Sequence, residues 1–220
     1  MKILPRATTF ATLRGAPADP MPFSFSDGHI VHPVEEQIVF ASPDGAPLAV
    51  LPTTELKSPT WVPVIDTIPG WHRILLPSKP NRSTGWIRAT PGGLQHARST
   101  YRIHIELGIR RLSLLNHNSP ARAWSVAVGA TSTPTPTGRT YLLASLLPEH
   151  PTYSPRILPL GIHSASMDTY GGGPATVALH GWPDDTVFGR GASHGCVRVP
   201  AKALRALAGI PLGTPVLISP

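Results

Sequence analysis

Proline is the feature that most limits how this chain can fold. It occupies 27 of 220 positions, about 12%, against ~5% in average proteins. Only 14% of the residues are charged, where ~25% is usual. Disordered linkers share both traits, but a chain with 41% apolar residues has enough apolar surface to offset the entropy of ordering. We therefore expect the prolines to punctuate the loops of a folded protein, with one large domain or two small ones.

The charge balance and the single cysteine narrow the functional classes. Nineteen Lys and Arg residues against twelve Asp and Glu give a net charge of +7, which favours a polyanionic partner such as an anionic cell wall. The sequence has no Lys/Arg-rich run and no helix-turn-helix or RRM pattern, so we expect no nucleic-acid partner. One cysteine excludes an intramolecular disulfide framework and a zinc site built from several cysteines.

Neither a transmembrane segment nor an export signal is visible. No stretch reaches the ~18 consecutive apolar residues of a membrane-spanning helix. The N-terminal stretch lacks the apolar core of ~7–15 residues that a secretory signal needs. From the sequence as written we expect no transmembrane segment and identify no signal peptide.

The first half of the chain divides into an irregular tail and a β-rich domain. Residues 1–27 show no periodicity and are predicted to be an irregular tail. From Gln37 onward, short β-like runs alternate with turns, which predicts a small β-barrel. The pairing of Trp71–Ile74 with a closing Gly85–Ile87 run resembles bacterial SH3-like domains. We predict such a domain over residues 28–92.

The second half is also predicted to be mostly β. Tyr101, Ile103, Ile105 and Leu107 alternate with polar residues, as in a half-buried strand. Pro200–Ala208 is the one clear helical segment, because proline suits the first helical turn and Gly209 stops the helix.

The chemistry is concentrated near the only cysteine. Cys196 lies in the run Ser193-His194-Gly195-Cys196-Val197-Arg198, and His180-Gly181 ends an apolar strand sixteen residues earlier. A nucleophilic cysteine needs a base that takes its proton. Either His194 or His180 is a candidate base by spacing. Gly181 would offer an accessible carbonyl to orient an imidazole, and the amides around Gly195 and Cys196 could form an oxyanion hole.

Other interpretations of these residues remain open at this level. A lone cysteine in a β protein is commonly a buried, inert side chain. A histidine that ends a strand is commonly a surface or hydrogen-bonded core residue. A metal site of His180, His194 and Cys196 lacks a clear fourth ligand, so we predict no metal.

Three ordered motifs resemble the L,D-transpeptidase (YkuD-type) catalytic domain. The first begins with the His180-Gly181 pair, and twelve residues separate His180 from the run Ser193–Arg198. The second is Thr133–Gly138, similar to a Thr-Pro-Thr-Gly loop of the family. The third is Leu212–Ile218, similar to its closing Gly-Thr-Pro-Val strand. The match covers about residues 100–219, and we predict the catalytic domain over 98–219. The expected fold is a mostly β sandwich with one short helix after the cysteine.

The resemblance also implies a role for each matching residue. Cys196 corresponds to the nucleophile, and His180 to the proton donor and acceptor, oriented by the carbonyl of Gly181. Substrate and oxyanion positions correspond to Ser193, His194, Gly195 and Arg198. The sequence departs from the family at Trp182, where many relatives have threonine. Pro148–Gly173 aligns poorly, so His163 and Tyr170 receive no role.

The resemblance implies a peptidoglycan L,D-transpeptidase that forms 3→3 cross-links through a thioester. Its partners would be stem peptides, with a donor tetrapeptide and an acceptor amine, and carbapenem-type inhibitors. No cofactor is expected. Two alternatives remain: an L,D-carboxypeptidase that hydrolyses the same acyl-enzyme, and a non-enzymatic cell-wall-binding protein. The substrate implies an extracytoplasmic location.

Overall fold

The computed structural model of the protein describes residues 3–117, 119–150, 152–170 and 172–220. Strands far outnumber helices among these residues, which confirms the predicted mostly β class. The strands are His29–Pro33 (β1), Gln37–Phe40 (β2), Pro47–Leu51 (β3), Thr54–Glu55 (β4), Ser58–Pro59 (β5), Val62–Ile68 (β6), Trp71–Leu75 (β7), Thr84–Arg88 (β8), Leu94–Arg98 (β9), Tyr101–Glu106 (β10), Arg111–Asn116 (β11), Ser119–Ser125 (β12), Val128–Gly129 (β13), Gly138–Tyr141 (β14), Ile157–His163 (β15), Thr169–Tyr170 (β16), Gly173–Pro174 (β17), Thr176–His180 (β18), Gly191–Ser193 (β19), Val197–Arg198 (β20) and Pro215–Ser219 (β21). The helices are a 3-10 turn, Asp185–Val187, and one α-helix, Ala201–Leu207 (α1).

The N-terminal part is built on a seven-stranded sheet in the order β3-β2-β8-β7-β6-β1-β9. The two runs that suggested an SH3-like domain are the antiparallel neighbours β7 and β8, with Trp71 opposite Arg88. The apolar face of the sheet buries side chains such as Val39, Ile74 and Ile87. The SH3-like identity of this sheet and the domain bounds 28–92 and 98–219 stay predictions.

The C-terminal part packs two sheets around a second apolar core. One sheet has the order β12-β11-β10-β21-β14, and the other has the order β15-β18-β20. Ile103 and Leu112 from the first sheet share a buried cluster with Leu158 and Val177 from the second. Every second residue of each strand enters this core because strand side chains alternate between faces. The remaining residues of β18 and β20 must then face away from it.

Helix α1 closes the end of this core. It begins after Pro200, whose fixed φ is compatible with a helix start. Ala203, Leu204 and Leu207 form its buried face, as their spacing predicts. It is the only α-helix in the described ranges, and no helix there is long and apolar enough to cross a membrane.

The N-terminal segment, residues 3–27, is irregular but firmly packed between the two parts. It forms isolated bridges to Val50, Lys79 and Ser83. Asp19 accepts two hydrogen bonds from Arg139, each 2.6 Å long, and both side chains are almost fully buried. Breaking such a pair by removing one partner costs about 3–5 kcal/mol. The segment is therefore a structural part of the fold.

A second buried contact of this segment involves a carboxyl group with one unpaired oxygen. The backbone N–H of Thr9 donates to Oε1 of Glu55, while Oε2 of Glu55 is buried without a hydrogen-bond partner among the described residues. Burial raises the pKa of Glu55 from 4.5 to about 7, although the Thr9 hydrogen bond opposes the shift. Glu55 is therefore mostly protonated below neutral pH in the folded protein and mostly ionised in the unfolded chain.

This pKa difference predicts that the stability of the fold decreases as pH rises, and that Glu55→Gln removes this pH dependence. The unfolded chain releases the proton near pH 4.5 and the folded protein near pH 7. The contribution of Glu55 to the free energy of unfolding is therefore lost as pH rises through this window. The shift corresponds to ~3 kcal/mol. In urea unfolding from pH 4 to pH 8, the free energy of unfolding of the variant should rise relative to that of wild type by about this amount as pH rises. The exposed Glu35→Gln is the matched control, and parallel pH curves for wild type and Glu55→Gln would contradict the prediction.

Candidate active site

Strands β18 and β20 place the predicted histidine and cysteine on one face. They pair in parallel, with Leu179 opposite Val197 and His180 opposite Arg198. Leu179 and Val197 are fully buried in the core. Because side chains alternate along strands, His180 and Cys196 emerge together on the opposite face. They are diagonal neighbours, roughly 8 Å apart at Cα from strand spacings.

The imidazole of His180 is oriented by its backbone neighbour. Its Nδ1 lies 2.8 Å from the carbonyl oxygen of Gly181. A carbonyl can only accept, so Nδ1 carries a hydrogen and Nε2 of the neutral ring keeps its lone pair. The N–H of Gly181 donates to Oγ of Ser154 at 2.7 Å, and that hydroxyl donates to the carbonyl of Arg156. The Gly181 peptide, and with it the imidazole, is therefore held in place.

The turn before Cys196 is held by two hydrogen bonds of the Ser193 hydroxyl group. Oγ of Ser193 donates to the carbonyl of Cys196 and accepts from the N–H of Gly195 at 3.1 Å. Gly195 has a φ of 114°, a conformation that strains residues with a side chain. A glycine is therefore required at this position for the turn to present the thiol.

The loop containing Thr133 and Thr135 supports this turn from outside. Oγ1 of Thr133 donates to the carbonyl of Ser193, and Oγ1 of Thr135 donates to the carbonyl of Gly195, both at 2.9 Å. Oγ1 of Thr135 also accepts from the N–H of Gly129 at 2.8 Å. The sequence marked this loop only as a motif, and the structure supplies its physical role.

The two amides predicted for an oxyanion hole differ in availability. The N–H of Gly195 is engaged by Ser193. In the described part of the chain, the N–H of Cys196 has no hydrogen-bond acceptor. Of these two amides, only that of Cys196 is free to bind an oxyanion without rearrangement of the turn.

The electrostatics of the pair favour neutral side chains. Burial raises the pKa of Cys196, and a hydrogen bond from the backbone of Ala178 and the positive charge of Arg198 only partly oppose this. Burial also lowers the pKa of His180, and Arg198 adds to that shift. Both directions disfavour a thiolate–imidazolium pair. Although the hydrogen bond to Gly181 opposes the His180 shift, the pKa directions together favour a thiol beside a neutral imidazole.

An aromatic wall adjoins the pair. The guanidinium carbon of Arg198 lies 3.5 Å from the centroid of the Trp182 ring. The ring of Tyr153 lies 4.9 Å from that of His180 and 5.3 Å from that of Trp182. Tyr153 lines the same cavity as Cys196, and burial raises the pKa of its phenol. Trp182 thus fixes the cation next to both reacting groups.

The structure gathers most of the predicted residues around one cavity of about 210 Å³. Its lining includes the predicted residues His180, Ser193, His194, Gly195, Cys196 and Arg198. Trp182 and Tyr170, to which the sequence assigned no role, line it as well. His194 is exposed at its edge, 6.4 Å from the ring of Tyr170. His163 is absent from this lining, because Nε2 of its buried ring contacts the carbonyl and the hydroxyl of Thr9. No group of residues suited to hold a metal ion occurs in the described ranges.

Sequence reasoning missed Tyr153 and Ser154. Both precede β15 in the stretch that departs from the family pattern, and they reach the site only because β15 pairs with β18. Thr176 and Met167 also line the cavity without a sequence signal. A serine before a strand and a tyrosine in a proline-rich loop carry no local pattern that indicates such a role.

Comparisons with known proteins concern the family and the fold. The family model of the L,D-transpeptidase (YkuD) catalytic domain matches residues 100–218, more than half of the chain. The fold is similar to an L,D-transpeptidase from Mycobacterium smegmatis, with 14% identity, a TM-score of 0.50, and coverage of 72% of this chain and 82% of that one. The sequence matches no curated protein.

Two further solved structures are similar at lower TM-scores. One is the catalytic domain of the E. faecium L,D-transpeptidase, with 21% identity, a TM-score of 0.42, and coverage of 54% of this chain and 96% of that one. The other is L,D-transpeptidase LdtMt1 in complex with imipenem, with 11% identity, a TM-score of 0.46, and coverage of 68% and 91%.

The neutral resting pair predicts how the thiol reacts with iodoacetamide. Because burial raises the thiol pKa, the alkylation rate should rise with pH toward an inflection above 9.0, without a plateau near neutrality. Cys196 is the only cysteine, so mass spectrometry of the whole protein reports it alone. Arg198→Gln should move the inflection still higher because it removes a stabilising positive charge. A plateau from about pH 6 to 8, typical of a thiolate–imidazolium pair, would contradict this.

Proposed function

This chain belongs to the L,D-transpeptidase (YkuD) catalytic-domain family, and from that premise we propose that it forms 3→3 cross-links in peptidoglycan through a thioester on Cys196. The observation that carries the proposal is the shared face of β18 and β20, on which His180 and Cys196 emerge beside one cavity. A thiol, a tautomer-fixed imidazole and a free amide are the parts that acyl transfer needs.

The first step forms the thioester. Nε2 of His180 takes the proton of the Cys196 thiol as sulfur attacks the carbonyl carbon between the third residue and the terminal D-Ala of a donor tetrapeptide. The tetrahedral intermediate collapses with cleavage of the C–N bond. His180 returns the proton to the nitrogen, and D-Ala leaves as the free amine.

The second step releases the enzyme. An amine of a neighbouring stem attacks the thioester, His180 accepts its proton, and the new amide forms as the thiol is reprotonated. Since both side chains are neutral before substrate binds, the proton moves together with the attack rather than in a preformed ion pair. No metal or organic cofactor enters the proposed steps.

Charge stabilisation comes from two groups. The N–H of Cys196 is free to bind the oxyanion of the tetrahedral intermediate, and one such donor contributes about 10²–10³-fold to rate. Arg198, held against Trp182, supplies positive charge for the developing thiolate and for a substrate carboxylate. Ser193 and Gly195 shape the turn, and His194 at the exposed edge is placed to contact substrate.

The substrate sets the proposed location. Peptidoglycan lies outside the cytoplasm, so the protein would act extracytoplasmically. The net charge of +7 suits an anionic cell wall.

Acylation by a carbapenem tests the nucleophile and the base. Intact-protein mass spectrometry should show one adduct on wild type and none on Cys196→Ala. His180→Ala should slow acylation by about 10²–10⁴-fold, the usual contribution of general acid–base catalysis. Tyr170→Phe, in the same cavity, is the control and should change the rate little. An adduct on Cys196→Ala would refute the nucleophile, and equal rates for the His180 and Tyr170 variants would refute the base.

Product analysis separates transfer from hydrolysis. With donor tetrapeptide and an acceptor stem, wild type should give a 3→3 cross-linked dimer and free D-Ala. With donor alone, D-Ala release should fall because water is a poorer nucleophile than the acceptor amine. Tripeptide as the main product, with acceptor present, would instead establish an L,D-carboxypeptidase. Binding of peptidoglycan without any D-Ala release would establish a wall-binding protein.

A further inference from the structure

A second cavity adjoins the active site, and we propose that it is a carboxylate-binding subsite for the donor stem peptide, built from Arg14 and Lys79. It would hold a carboxylate of the donor other than that of the terminal D-Ala. The inference rests on the proposed function for the identity of the peptide. Its two cations belong to the N-terminal half of the chain, outside the region that the catalytic-domain family covers.

Three chain segments meet at this cavity of about 590 Å³. The N-terminal segment contributes Thr12–Gly15, the loop after β7 contributes Lys79–Asn81, and the stretch after β15 contributes Ser164 and Asp168. The cavity thus lies at the junction between the N-terminal sheet and the catalytic part.

The second cavity shares one lining residue, Ser164, with the catalytic cavity. The Oγ of Ser164 accepts hydrogen bonds from the N–H groups of Ser166 and Met167, both at 3.2 Å. Met167 lines the catalytic cavity, whereas Asp168 lines the second. A peptide bound at Cys196 that extends past Ser164 would therefore enter the second cavity, which Arg14 and Lys79 line.

The cations are placed by backbone and side-chain hydrogen bonds. The N–H of Leu13 donates to the carbonyl of Lys79, and the N–H of Lys79 donates to the carbonyl of Ala11. The side-chain amide of Asn81 donates to the carbonyl of His163 and accepts from its N–H, both at 2.8 Å. Such a preorganised site loses little entropy when it binds a ligand.

Asp168 occupies the position that the ligand carboxylate would take. Its Oδ1 lies 2.8 Å from Nζ of Lys79, and the Lys79 side chain is 25% exposed whereas that of Asp168 is 96% exposed. An ion pair with one fully solvated partner contributes little to stability, so a ligand carboxylate can displace Asp168. Arg14 is exposed and forms no ion pair with another described residue, which leaves its guanidinium free for the same carboxylate.

The net charge of the cavity supports an anionic ligand. Arg14 and Lys79 outnumber Asp168, which leaves an excess of positive charge. A carboxylate that contacts both cations would gain two charge-assisted hydrogen bonds. Stem peptides carry carboxylates along their length, so the subsite would select donors in which the relevant carboxylate is free rather than amidated.

Calorimetric titration of the full chain tests the carboxylate-binding subsite without turnover. In the Cys196→Ala background, a synthetic stem tetrapeptide is compared with the same peptide amidated at every carboxylate except the terminal one. The free-acid peptide should bind about tenfold more tightly, the effect of one charged hydrogen bond. Arg14→Gln and Lys79→Gln should each remove most of this difference and leave the amidated peptide unaffected. Asp168→Asn should strengthen free-acid binding because it removes the competing carboxylate.

Lys202→Gln is the matched control, because it makes the same charge change on the exposed face of α1. It should leave the preference for the free-acid peptide intact. Equal affinities of the two peptides in the Cys196→Ala background, or absence of binding by both, would overturn the subsite. Equal weakening of both peptides by Arg14→Gln and Lys79→Gln would also overturn it, since that indicates a structural role. Failure of wild type to form a thioester would refute the proposed function, and the titrations would still decide the subsite.

Discussion

The burial of one face of β18 and β20 is the constraint on which the site depends. Leu179 and Val197 are opposite one another in the parallel ladder and fully buried. When these two positions face the core, the adjacent positions on each strand must face the opposite side, because side chains alternate. A one-residue slip of either strand would exchange apolar and reactive faces. The apolar core therefore sets the register that brings His180 and Cys196 together.

The reactive turn is supported from several distant parts of the chain. Thr133 and Thr135 bond its carbonyls from one side, and Ser154 holds the Gly181 peptide from another. Such contacts hold the turn and the imidazole in fixed positions, as the proposed acyl transfer requires. The N-terminal segment adds a second layer, because the Asp19–Arg139 pair and the contacts of Thr9 join it to the catalytic part. These contacts tie the N-terminal segment to the part of the chain that carries the site.

Burial also sets the chemistry of the pair. The environment that excludes water raises the pKa of Cys196 and lowers that of His180. A buried neutral pair avoids the cost of an isolated charge in a poorly solvated site. The positive charge of Arg198, stacked on Trp182, partly opposes the rise in the pKa of Cys196.

Much of the fold and the site was predictable from sequence because the signals are local. Alternating residues mark β10, proline and a Leu-rich face mark α1, and the runs around His180 and Cys196 indicate a thiol site. The sequence alone could not choose His180 over His194, since spacing leaves both within reach of the thiol, and the family resemblance made that choice. Only the tertiary structure placed Tyr153 and Ser154 at the site, engaged the Gly195 amide with Ser193, and turned His163 toward Thr9. It also packed residues 3–27, expected to be an irregular tail, between the two halves. These outcomes depend on contacts between residues far apart in the chain, where local pattern carries no information and the packing of whole sheets decides which groups meet.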